Sequence, residues 1–140
     1  MNFDGLARSY IMQADEKLEI ARNERSRGKY NIVVRQCQEA VELSLKGCLR
    51  LVGVEVPKYH EGPALKRERE RFPEWFREKI EIFASYSRWL RSERETSMYG
   101  DEETGTPPEM LYSAYDADEA LKKASEVVEW AKKLLEALST

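Results

Sequence analysis

Apolar residues recur along this chain at helical spacing, and four such stripes cover most of its 140 residues. From about Asp4 to Glu24, the residues Leu6, Tyr10, Ala14, Leu18 and Ala21 form a narrow stripe with no proline inside it. Gly28 is placed to break this helix. A second run, about Lys29 to Val52, carries Tyr30, Val33, Val34, Cys37, Ala40, Val41, Leu45, Cys48, Leu49 and Val52. So wide a stripe predicts a central helix, which Gly53 and then Pro57 would end. After a loop through Gly62 and Pro63, a third helix is expected to start near Pro73, since proline suits a first turn, and to reach about Ser97. Gly100, Gly105, Pro107 and Pro108 mark the next loop, and Asp116 with Glu119 offers a reciprocal cap for the last helix. That helix runs to about Leu138 and turns Ala117, Ala120, Leu121, Ala124, Val127, Val128, Ala131, Leu135 and Leu138 inward.

No segment alternates as a strand does, and no repeat of fixed period occurs, so the helices have only one another to bury their stripes against. The expected fold is all-α: an antiparallel four-helix up-and-down bundle, with room for an additional short helix or helical turn. Residues 1–140 are read as one domain, a length that builds a single core. The stripes of the second and last helices are broader than one seam needs, which makes self-association an expectation.

Composition narrows the setting. Hydrophobic residues at 41% and charged residues at 35% fit a globular helical protein with a heavily charged surface. No apolar run approaches the roughly 20 residues that span a bilayer, and the N-terminus lacks a basic-then-apolar signal pattern, so no membrane partner is expected and the cytoplasm is the default location. Cys37 and Cys48 share one helix about 16 Å apart, too far for a mutual disulfide, and read as small core residues in a reducing compartment. The net charge of −3 conceals an asymmetry. Residues 1–94 hold 19 Lys and Arg against 15 Asp and Glu, whereas residues 95–140 hold 4 against 11. A basic body with an acidic end can bind a nucleic acid on one side only, although close alternation, as in residues 66–71, is also what solvated helix faces look like.

Most familiar chemistries lack their equipment here. His60 is the single histidine and lies in a loop with no cysteine or carboxylate at metal-ligand spacing. Neither Glu-x-x-His pairs for a di-metal bundle nor a phosphate-cradling glycine loop is present. No metal and no cofactor is expected. For His60 itself, a hydrogen bond within its loop is the expected role. What remains is Arg, Tyr, Ser, Glu and Lys, a set that suits a phosphate or phosphodiester ligand. The third apolar stripe, Phe76, Ile80, Phe83 and Leu90, leads into Arg94, a cation at the end of a packed row. A charge so placed needs a partner, an exit to solvent or a function. Glu42 and the acidic run Asp101 to Glu103 are the candidate partners, while Glu42 and Lys46, four apart, read as a helix-surface ion pair. Tyr99 is expected either to pack at the helix end or to touch a ligand, and Trp75, Trp89 and Trp130 to be buried or at an interface.

The segment from Gln38 to Leu49 resembles the second helix of the HEPN domain, the helical family named for higher eukaryotes and prokaryotes nucleotide-binding. Further matches follow in the family's order: Gly28 to Tyr30, His60, Arg94 to Asp101, and Asp116 to Leu121. The resemblance covers nearly the whole chain. It implies a helical bundle that pairs as a homodimer. In many members two copies form a metal-independent endoribonuclease from an Arg followed four to six residues later by His. Small prokaryotic members are often partners of a minimal nucleotidyltransferase in a toxin and antitoxin pair.

Carried onto this chain, the motif's arginine is Arg94, and Tyr99 stands where its histidine would be; no histidine follows Arg94. Metal-free RNA cleavage must activate a 2′-hydroxyl, protonate the leaving oxygen and stabilise a charged phosphorane. Arg94 can supply the last, but a phenol is a poor base at neutral pH. The resemblance therefore implies a nucleotide- or RNA-binding cleft built from Arg94, Ser97, Tyr99, Glu42 and Lys46. Arg94 and Tyr99 are the candidate catalytic pair, and cleavage is expected to be weak or absent. A protein-interaction or scaffolding bundle without a nucleotide ligand is the alternative.

Overall fold

A computed structural model describes residues 3–55 and 60–139, with only the backbone at residues 3 and 4. Among the described residues six α-helices follow in order: α1 (Phe3–Ser26), α2 (Tyr30–Leu51), α3 (Glu61–Arg67), α4 (Glu74–Ser92), α5 (Thr96–Tyr99) and α6 (Ala114–Leu138). Short 3₁₀ turns lie at Arg69–Arg71 and Pro108–Met110. There is no strand among them, only an isolated antiparallel bridge between Asp101 and Thr106. The architecture is the expected all-α bundle, four long helices with two short ones added. No helix of the described residues is long and apolar enough to cross a membrane.

The breadth of the α2 stripe decides the layout. Val33, Val34, Cys37, Ala40, Val41, Ser44, Leu45, Gly47, Cys48 and Leu49 are all buried, because α2 packs against each of α1, α3, α4, α5 and α6. Gly28, with φ +72°, turns α1 into α2. The Lys29 N–H donates to the Glu24 carbonyl at 3.0 Å and the Gly28 N–H to the Arg25 carbonyl at 3.1 Å, a closure that a side chain at position 28 would strain. The same bond from Val54 to Leu49, 2.9 Å, closes α2; the expected part of Pro57 in ending it lies outside the described residues.

Several details differ from the sequence reading, among them Leu138, expected inside and 37% exposed at the end of α6. The buried stripe of α1 is Ala7, Ile11, Ala14, Leu18 and Ala21, while Leu6, expected inside, is 40% exposed. Close approach to α2 sets this register: a Cβ at Gly47 would stand 2.7 Å from Ile11 Cγ1 and 3.1 Å from the Ala7 carbonyl, so the contact takes a small residue on each side. The cap of α6 is Ser113 rather than Asp116 with Glu119. The Asp116 N–H donates to Ser113 Oγ at 3.4 Å and the Ser113 N–H to Asp116 Oδ2 at 2.8 Å, so Asp116 serves as the third residue of the capping box. Glu119 instead pairs with Lys123 at 3.1 Å. Finally, α4 stops at Ser92 and does not carry Arg94 on its stripe. Bonds from Glu93 to Leu90 and from Arg94 to Arg91 tighten its end, and α5 begins anew.

The segment read as loop also folds. In α3, Ala64 and Leu65 are fully buried, and Phe72 behind it stacks on Phe76 with ring centroids 4.9 Å apart. Phe76 meets Phe83 edge to face at 6.1 Å. Trp75 and Trp89 lie at the margin, each more than a third exposed, and Trp130 is half-buried against Trp75.

Candidate functional site

The join between α4 and α5 places Arg94 beside α2. Its Nη1 stands 3.5 Å from Glu42 Oε1, with 33% of the arginine side chain and 18% of the glutamate side chain exposed. Gln38, one turn before Glu42, donates Nε2–H to the same oxygen at 3.3 Å. Gln38 thus helps to fix the carboxylate that the guanidinium meets, and a third of the arginine side chain stays exposed. Ser97 is buried and acts on the backbone: its Oγ donates to the Arg94 carbonyl at 3.1 Å, while Asn31 Nδ2 donates to the Ser97 carbonyl at 3.2 Å. Together these bonds tie the Arg94 to Ser97 turn to the first turn of α2.

Two hollows flank this turn and share Thr96. One, about 370 Å³, is lined by Arg91, Ser92, Arg94, Glu95 and Thr96. The other, about 430 Å³, has Glu93, Asp101, Glu102, Glu103, Tyr112 and Asp116 in its wall and no basic residue among the described residues. Tyr112 donates to Glu93 Oε1 at 2.7 Å; burial, reinforced by that bond and the glutamate charge, holds its phenol well above the usual range. The acidic wall is built by a tight loop. Gly100 has φ +74°, and a Cβ there would lie 2.2 Å from the Thr106 carbonyl, so only glycine lets the two arms meet in the paired Asp101 and Thr106 hydrogen bonds of 2.9 and 3.0 Å. Asp101 Oδ1 then accepts from the N–H groups of Glu103 and Thr104.

Of the five residues singled out from the sequence, the structure brings Arg94 and Glu42 into contact and sets Ser97 behind them as a positioning group. Tyr99, 62% exposed, stands on the surface of α5 rather than packing at a helix end. The expected Glu42–Lys46 ion pair does not form among the described residues. Glu42 faces Arg94, and Lys46 lies over the Tyr10 ring of α1, 5.7 Å from its centroid. His60 precedes α3, exposed and without a side-chain hydrogen bond to any described residue; residues 56–59 of its loop, where the expected bond would fall, lie outside the described residues. Gln38 and Asn31 were not foreseen. Both are polar residues within an apolar helix, which is a signal, but their partners lie on elements whose approach a sequence does not disclose. No group of described residues is arranged to hold a metal ion.

An arginine fixed by a carboxylate at the end of one helix, beside an open hollow, can take a phosphate by paired N–H donors and can stabilise charge growing on it. The architecture is thus that of a small all-α domain with a cation-centred polar site. Residues 7–134 match the HEPN domain model, and the chain belongs to the HEPN family. The crystal structure of an archaeal HEPN homologue has the same fold, with a TM-score of 0.67 and 22% identity over 92% of this chain and 97% of that one. No curated protein matches the sequence.

Proposed function

We propose that this HEPN protein binds a nucleotide or RNA phosphate through Arg94, works as a cytoplasmic homodimer and is the partner of a minimal nucleotidyltransferase, with little or no ribonuclease activity of its own. The observation that carries the ligand reading is the placement of Arg94: held by Glu42, a third exposed, and lining the hollow beside α5. Tyr99, five residues on, is exposed on α5 outside the lining of that hollow, and its part is a hydrogen bond to a ligand that extends beyond it. No histidine follows Arg94, and a phenol does not replace a general base, a role that contributes on the order of 100- to 10,000-fold. Self-association is supported by α4, where Trp75, Ile82 and Trp89 recur every seven residues and stand 37%, 42% and 36% exposed on one outward stripe. The free, buried Cys37 and Cys48 suit a reducing compartment.

Titration of uridine monophosphate and short RNA against the protein tests the ligand reading. Binding should weaken steeply with salt, and Arg94→Ala should reduce it about 10- to 100-fold. Salt-insensitive binding that ignores Arg94→Ala would sink it. If residual cleavage exists, RNA should be degraded in chelator and protected by either Arg94→Ala or Tyr99→Phe. A protein-interaction role is the second reading, favoured by the acidic hollow of Glu93, Asp101, Glu102, Glu103 and Asp116. It expects a stoichiometric protein partner that those substitutions leave bound.

A further inference from the structure

A second basic hollow lies between α3 and α4, outside the contacts described so far. Gly62, Pro63 and Lys66 face it from α3, and Ala84, Arg88 and Arg91 face it from α4. The α4 residues are spaced four and three apart, which places them on one face of that helix. Gly62 and Ala84 bring the two helices close: a Cβ on Gly62 would already be in van der Waals contact with Ala84 at 3.5 to 3.6 Å. The floor is therefore small and apolar and the rim is cationic. No carboxylate among the described residues lines it, in a chain with three more acidic than basic residues. At about 260 Å³ the hollow is near the lower limit for ligand pockets, which suits a phosphate with part of its sugar rather than a whole cofactor.

Arg88 is the cation of this hollow most open to a ligand. Arg88 is exposed and makes no hydrogen bond or ion pair with any described residue, whereas ten other arginines, among them Arg25, Arg50, Arg71 and Arg94, have carboxylate partners. Lys66 reaches Glu81 at 3.6 Å, but both side chains are about half exposed or more, and a surface pair of this kind contributes little and yields readily to a stronger anion. Arg91 also lines the hollow that holds Arg94. The two depressions thus share Arg91 in their walls. One turn of helix, about 5 Å of rise, carries the row from Arg88 to Arg91.

Resting on the reading of Arg94 as a phosphate site, we infer that Lys66, Arg88 and Arg91 form a second phosphate subsite. The ligand of this protein is then a single strand with linked phosphates, not a mononucleotide. The guanidinium of Arg88 and the ammonium of Lys66 receive one phosphate, Arg94 receives another, and Arg91 lies between them. Such a subsite reads the backbone and is indifferent to base and to the 2′-hydroxyl.

Anisotropy titrations of the full chain with labelled hexauridylate and hexathymidylate (a DNA strand), with uridine monophosphate as competitor, separate the two subsites. Arg88→Ala removes an exposed side chain without partners among the described residues and should leave the fold intact. It should weaken both hexamers about 10-fold, flatten the log–log salt dependence by about 0.7, and leave the monophosphate unchanged. Lys66→Ala should act in the same direction. Unchanged hexamer affinity in Arg88→Ala, an equal loss for the monophosphate, or a loss confined to RNA each overturns the second subsite. In those cases loss of the monophosphate in Arg94→Ala still leaves the Arg94 reading standing. A monophosphate indifferent to Arg94→Ala overturns that reading, and a chain that binds neither hexamer at low salt overturns both.

Discussion

Glu42 both positions Arg94 and competes for it. At 3.5 Å their contact is longer than the 2.7–2.9 Å at which charge-assisted hydrogen bonds are strongest, so an arriving phosphate has a more favourable geometry to offer. Glu42→Gln keeps an acceptor for both Gln38 and Arg94 while deleting the competing charge. Uridine monophosphate should consequently bind Glu42→Gln about 3- to 10-fold more tightly than the wild type, as isothermal titration would report; weaker binding would mean that the carboxylate is needed for more than placement. Gly100 is the second residue on which the site depends. With Thr106 O standing 2.2 Å from the position of an added Cβ, Gly100→Ala must open the loop, and a loss of about 2–4 kcal/mol is expected in urea denaturation. The importance of Arg94 was legible because a cation following an apolar row is anomalous in any sequence. Glu42 could be named only as one of several carboxylates, since which one meets Arg94 depends on where α2 passes.

At the scale of elements, the long helices were legible because burial on one side leaves a periodic trace, and the ends were less so because they depend on single hydrogen bonds. The start of α6 shows why. Ser113 and Asp116 satisfy the same box as the Asp116 and Glu119 read from the sequence, and the choice between them rests on the extended backbone at Ser113, ψ 172°. Ser113→Ala should therefore lower the melting free energy by about 1 kcal/mol, whereas Glu119→Ala should cost less than half of that; the reverse order in thermal melts would restore the other cap. The α1–α2 contact gives a sharper test. Gly47→Val adds branched carbons where one Cβ already stands 2.7 Å from Ile11 Cγ1, so destabilisation of about 2 kcal/mol or more should outweigh the gain in helix propensity over glycine. α3 escaped the sequence reading because its seven residues offer too few turns for a period to emerge, and its buried Ala64 and Leu65 acquire meaning only from α4 packed across them.

For the molecule as a whole, the two thiols link the core to pH. Burial raises the Cys37 thiol from 9.0 to about 12 and raises Cys48 as well, so both stay protonated in the folded state after they would ionise in the unfolded chain. Their contribution is intact below about pH 9 and is lost as pH climbs above it, because the unfolded state then releases protons that the native state keeps. Chemical denaturation at pH 8 and pH 10 should differ by about 2–3 kcal/mol, with the native thiols silent to a disulfide reagent at both. The sequence by itself determined that this chain is an all-α bundle with α2 at its centre, that its cysteines are core residues and that Arg94 is out of the ordinary. Those facts live in periodicity and residue type, which are properties of neighbours along the chain. Only the tertiary structure decided that Glu42 holds Arg94, that Lys46 turns to Tyr10, and that α3 and α4 enclose a basic hollow next to the arginine. These depend on distances between residues far apart in sequence, fixed by the packing of whole helices, and no local pattern encodes them.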